Sequence, residues 1–167
     1  MIALHITNIK QFMNRLFLCE DFDAFRLSEA TFVTFGTFHI DGLFQKEYYS
    51  SEELEEMQFI DDPHLSWRQA RPFALTIIKG KHTPLEFKIV FRLSCANVQR
   101  LLQQSGLAFT PGDVSGLFLN LHFQAGCLTC TTGTALRTFT LDKSLDRIWD
   151  EMITRFFLQK NISFEKK

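Results

Sequence analysis

The chain has 167 residues, of which 46% are hydrophobic and 22% charged, and its formal net charge is −1. That is room for one domain with a real core and too little for two, in a composition typical of globular rather than disordered chains. The near-neutral balance gives no global pull towards nucleic acid or an anionic membrane, and no apolar run approaches the roughly 18 residues that span a bilayer.

Nineteen Phe stand against two Tyr and two Trp. Phe carries a large apolar area with no polar handle, so most copies belong in a core, and any left outside would mark an interface. The N-terminus, Met1 to Ile6, lacks the basic segment and apolar stretch of a signal peptide. Cys19, Cys95, Cys127 and Cys130 are too few and too scattered for a disulfide framework. A cytoplasmic protein with reduced thiols is the expectation.

Met1 to Ile6 reads as a strand. Ile9, Phe12, Met13, Leu16 and Phe17 then fall on one helical face, with Thr7 or Asn8 to cap it. Phe25 to Tyr49 is rich in Phe and Thr, and Asp41-Gly42 within it predicts a hairpin turn. Ser50 and Glu53 can form a capping box for a short acidic helix, which Pro63 terminates. From Trp67 to Arg92 the charge reverses sign, and Phe73–Ile78 and Leu85–Leu93 read as strands flanking the turn residues 79–84. Ser94 caps a helix carrying Val98, Leu101 and Leu102, which Gly106 stops. Leu117, Leu119, Leu121 and Phe123 alternate as a half-buried strand does, and turns at Ala125-Gly126 and Gly133-Thr134 predict a three-stranded meander over 117–141. Leu145, Ile148, Trp149, Met152, Ile153, Phe156 and Phe157 give the last helix a wide apolar stripe.

Strand, helix and meander thus occur in the same order in residues 4–49 and 91–141, around a charged insert at 50–90 and before a C-terminal helix at 142–160. The expected fold is a single α+β domain of two pseudo-repeated units, with helices on one face of an antiparallel sheet.

Catalytic chemistry finds little support. Cys127 and Cys130 have zinc or redox spacing, but they lie on a predicted strand, where residues three apart point to opposite faces, and no further ligands accompany them. The five histidines are dispersed, and neither a nucleophile elbow nor a phosphate loop is present. No catalytic residue, metal or cofactor is therefore assigned. The polar constellation that remains is the basic segment, with Trp67, Arg68, Arg71, Lys79, Lys81 and His82 as candidate contacts for a small ligand or for nucleic-acid phosphates and bases.

Ser28-Glu29-Ala30-Thr31, Lys79-Gly80-Lys81-His82-Thr83-Pro84 and Thr131-Thr132-Gly133-Thr134 lie in stretches that together resemble a family of small uncharacterised proteins from anaerobic Firmicutes. The resemblance covers nearly the whole chain. It implies a bacterial cytoplasmic origin and carries no functional residues. The repeated element order is also similar in shape to a single domain of the DNA sliding clamps, but the charged insert and the C-terminal helix depart from that pattern. The function expected from the sequence is a non-catalytic binding or assembly module, acting as a homo-oligomer or on a protein partner and not on a membrane. The competing expectation is a ligand-binding protein or enzyme built around 67–92, or a weak clamp-like nucleic-acid module.

Overall fold

The computed structural model of the chain describes residues 1–59 and 61–167. Its strands are β1 (Ala3–Ile6), β2 (Arg26–Val33), β3 (Thr37–Asp41), β4 (Glu86–Arg92), β5 (Val114–Gln124), β6 (Cys127–Leu136) and β7 (Phe164–Lys166). They form one antiparallel sheet in the order β3-β2-β4-β5-β6-β1-β7. The helices are α1 (Ile9–Phe17), α2 (Ser51–Glu56), α3 (Trp67–Ile78), α4 (Cys95–Ser105) and α5 (Ser144–Gln159). Among the described residues no helix is long and apolar enough to cross a membrane. The α+β class and the C-terminal helix are as the sequence predicts.

Strand alternation divides the sheet into two unlike faces. Leu27, Ala30 and Phe32 of β2, Phe87, Ile89 and Phe91 of β4, and Leu117, Leu119, Leu121 and Phe123 of β5 are buried on one face. Helices α1, α3 and α5 pack there through aromatic edges. Phe12 meets Phe157 at 6.0 Å, Phe17 meets Phe87 at 6.0 Å, and Trp67 meets Phe91 at 5.0 Å. Most of the Phe excess is consumed in this layer. On the other face the registers align His39, Thr31, Lys88, His122, Thr129, His5 and Glu165 in one polar row.

Local signals explain the helix ends. Asn8, Ser50, Ser66 and Ser94 each accept a backbone N–H of the first turn, and Gly106 stops α4 at φ +65°. The turn at Ala125-Gly126 also forms as expected, with φ of +51° and +75°.

Three expectations need correction. Phe73–Ile78 is not a strand but the second half of α3. Its β-branched residues favour a strand, yet the Ser66–Gln69 capping box starts a helix, and burial of Trp67, Ala70 and Ala74 on one stripe overrides propensity. The β2–β3 turn is at Thr34–Gly36, not at Asp41-Gly42. Gly42 serves a different need, since a Cβ there would lie 1.8 Å from the Leu27 carbonyl oxygen. Finally, residues 117–141 form a hairpin rather than a meander, because Gly133-Thr134 continues β6 opposite Phe118 and Leu117. The order strand–helix–hairpin occurs twice along the chain, but the pairing differs between the two. β4 lies beside its own hairpin, whereas β1 crosses the sheet to pair with β6 and β7.

Candidate functional site

Residues 42–59 leave the sheet as an arm, and residues 61–66 return as a wedge. Gly42 accepts from Leu65 N–H at 2.8 Å, Leu65 accepts from Leu27 N–H at 2.7 Å, and Pro63 accepts from Phe44 N–H at 2.9 Å. Residues 63–66 thus sit between the separating ends of β2 and β3, bridging Arg26 through Ser66 and Leu43 through His64, and on its other side β2 carries a bulge between Leu27 and Glu29 against β4.

Asp62 locks this wedge to the body. Its side chain is 4% exposed. One carboxylate oxygen accepts from His64 N–H at 3.1 Å and the other from Cys95 N–H at 3.2 Å. Arg26 Nε lies 3.7 Å away, and His64 Nδ1 3.8 Å away. Arg92 approaches His64 Nε2 at 3.4 Å, donates to Ser115 O at 3.0 Å and lies over the Phe118 ring. Burial, then Arg92, pushes the His64 pKa down, while burial, then Asp62, pushes the Cys95 thiol up. A Cys, a His and an Asp therefore meet without forming a nucleophilic set, because the thiol keeps its proton and the imidazole faces a guanidinium. The cluster is a clasp.

Leu65 of the wedge is also part of the wall of an apolar cleft of about 660 Å³ between the arm and α3. Ile40, Leu43, Phe44, Tyr48, Met57 and Phe73 line it. Tyr48 is 82% exposed, Phe73 70% and Leu43 50%, so these large side chains spend apolar area on water. Phe44 stacks on Phe59 at 4.9 Å and on Tyr49 at 5.8 Å, which stiffens the arm. A second depression of about 580 Å³ lies at the β2–β3 turn, with Phe35, Ile77, Lys79, Lys81, His82 and Leu85 in its wall. β3 runs from one depression to the other as an edge strand of the sheet.

The hydrogen bonds fix which β3 groups are free. Thr34 N–H reaches Gly36 O and Gly42 N–H reaches Ser28 O, so the even-numbered residues between them bond to β2. The backbone groups of Thr37, His39 and Asp41 point outward from the sheet edge.

The profile of DUF5721, a family of unknown function, matches residues 15–165. The chain belongs to DUF5721. No curated protein and no solved structure matches it. The matched span runs from within α1 to β7, so the arm, the clasp and β3 are all parts of the DUF5721 domain.

The residues singled out in the DUF5721 sequence do not form one site. Trp67 is fully buried and its indole N–H donates to Leu16 O at 2.8 Å, so it cannot stack on a ligand. Arg71 holds Asp23 with two parallel bonds of 2.9 and 3.0 Å, and tethers α3 to the loop after α1. Arg68 is exposed on α3 apart from both depressions. Lys79, Lys81 and His82 do come together, at the second depression. Sequence reasoning missed the aromatic arm and Phe35. The available signal was Phe44, Tyr48 and Tyr49 in a segment that already departs from strand alternation.

Proposed function

We propose that this DUF5721 chain is a non-catalytic binding or assembly module of the bacterial cytoplasm. It takes its partner as an extended segment that adds to the β3 edge. The observation that carries this reading is an unpaired edge strand bordered at both ends by exposed apolar depressions. A strand added to an edge gains main-chain hydrogen bonds, and pockets beside the edge read alternate side chains. β3 has the sequence Thr-Phe-His-Ile-Asp, without the Lys or Pro that usually blunts an edge. The opposite edge, β7, is three residues long and carries Glu165 and Lys166.

The basic segment supports ligand or nucleic-acid binding less well. Trp67 and Arg71 are engaged in the fold, which leaves Lys79, Lys81 and His82 as one end of the same surface. Selection of displayed heptapeptides on the immobilised protein tests the proposal. Peptides with alternating apolar residues should bind the native chain and fail to bind Phe73→Glu. Recovery of no binder, or of binders indifferent to Phe73→Glu, would count against it.

A further inference from the structure

We infer that the occupant of the β3 edge is a second copy of this chain, paired antiparallel across a two-fold axis at His39. This rests on the binding-module reading and names its partner. The outward backbone groups of Thr37, His39 and Asp41 set the pairing. His39 opposes His39 of the second copy in a hydrogen-bonded pair, and Thr37 opposes Asp41. Phe38 then opposes Ile40 of the second copy in a non-hydrogen-bonded pair, the arrangement in which facing side chains come closest. Phe38 and Ile40 share the helix-covered face with Phe32 and Ala30, so this contact continues the core layer. An aromatic residue facing a branched aliphatic is a stabilising cross-strand pair, and the two-fold supplies it twice.

The same register carries Phe35 to Leu43 of the second copy, at the cleft. Phe35 is 96% exposed. Its ring packs edge-on against Phe38 at 5.5 Å, which turns it towards the side of the sheet where the cleft lies. The highly exposed Phe35 and the apolar cleft beside the arm thereby find each other. Charge follows the same symmetry. Lys79, Lys81 and His82 border the turn end of β3, whereas Asp41, Glu47 and the acids of α2 border the other end. Antiparallel pairing sets each basic end against an acidic end, and a parallel pairing would set like against like. The closed two-fold also consumes the unblunted edge and leaves only the short, charged β7 edges outside.

Two measurements test this in a background with the exposed Cys19, Cys95 and Cys127 changed to Ser. Phe38→Cys and Ile40→Cys proteins, mixed in equal amounts under mild oxidation, should give a disulfide dimer that neither gives alone, because only the mixture brings one of each into facing positions. By sedimentation velocity the parent should dimerise, and Phe35→Asp should weaken the dimer at least about 30-fold, as loss of an aromatic anchored in a partner's apolar cleft does. The high exposure of Phe35 leaves the far-ultraviolet circular dichroism unchanged in that variant. A monomer at every concentration, or equal cross-linking in mixed and single samples, would overturn self-pairing. If peptides still bind at Phe73 in that case, the binding-module reading stands alone; if they do not, both readings fall.

Discussion

Asp62→Asn is the sharpest probe of how the arm is held. The carboxylate is 4% exposed and receives the backbone N–H groups of His64 and Cys95 at 3.1 and 3.2 Å. Asn keeps one acceptor oxygen and turns an amide N–H₂ towards a backbone donor. One charge-assisted bond is therefore lost, about 1.5–3 kcal/mol, and a buried donor is left unpaired, about 1–3 kcal/mol. Arg26, whose side chain is only 17% exposed, also loses its counter-charge. The expected destabilisation is about 3 kcal/mol, or roughly 6–12 °C in Tm for a domain of this size. Urea unfolding followed by tryptophan fluorescence measures the first quantity. A second readout separates this cause from general damage. Asp62 opposes ionisation of Cys95, so in a background with Cys19→Ser and Cys127→Ser the Cys95 thiol of Asp62→Asn should react faster with a disulfide reagent at pH 8. A loss below about 1 kcal/mol with unchanged thiol reactivity would refute the clasp.

Gly42→Ala should cost more than about 3 kcal/mol or abolish soluble folding, because the new methyl lies 1.8 Å from a backbone oxygen that the wedge holds in place; thermal unfolding within 2 °C of the parent would disprove the close approach. Stability should also fall at both ends of the pH scale. Burial, then Arg92, lowers the His64 pKa in the folded state, so the unfolded chain binds the extra proton and stability declines as pH drops below about 6.5. Burial raises the Cys130 thiol, so the unfolded chain ionises first and stability declines as pH rises through about 9. Cys130→Ala should flatten that alkaline limb in urea titrations, and an unchanged slope would show the thiol is not its source.

Period and capping made most of the fold legible. The α1 and α5 stripes, the Ser94 and Ser50 caps and the strict alternation of β5 all mark elements that formed where the sequence placed them. The errors arose where a local signal has two physical uses. Thr76-Ile77-Ile78 suits a strand by propensity but lies on a helix already started about three turns earlier by Ser66 and Gln69. Gly42 looks like a turn residue and is a close-approach residue. The site was less legible than the fold. Trp67 and Arg71 read as functional because aromatic and basic side chains cluster there, whereas both are spent on joining α3 to α1 and its following loop. The exposed residues Phe35, Leu43, Tyr48 and Phe73 are drawn from the β2–β3 turn, the arm and α3, and only the tertiary packing of these separate segments places them along the β3 edge.

Hydrogen exchange at β3 tests the central claim most directly. The amides of Thr37, His39 and Asp41 point away from β2, so in an isolated chain they exchange freely. With the edge occupied they should be protected at high protein concentration, or on adding a selected peptide, and lose that protection on dilution or in Phe35→Asp. Amides that stay fast under all these conditions would contradict β3 as the binding edge.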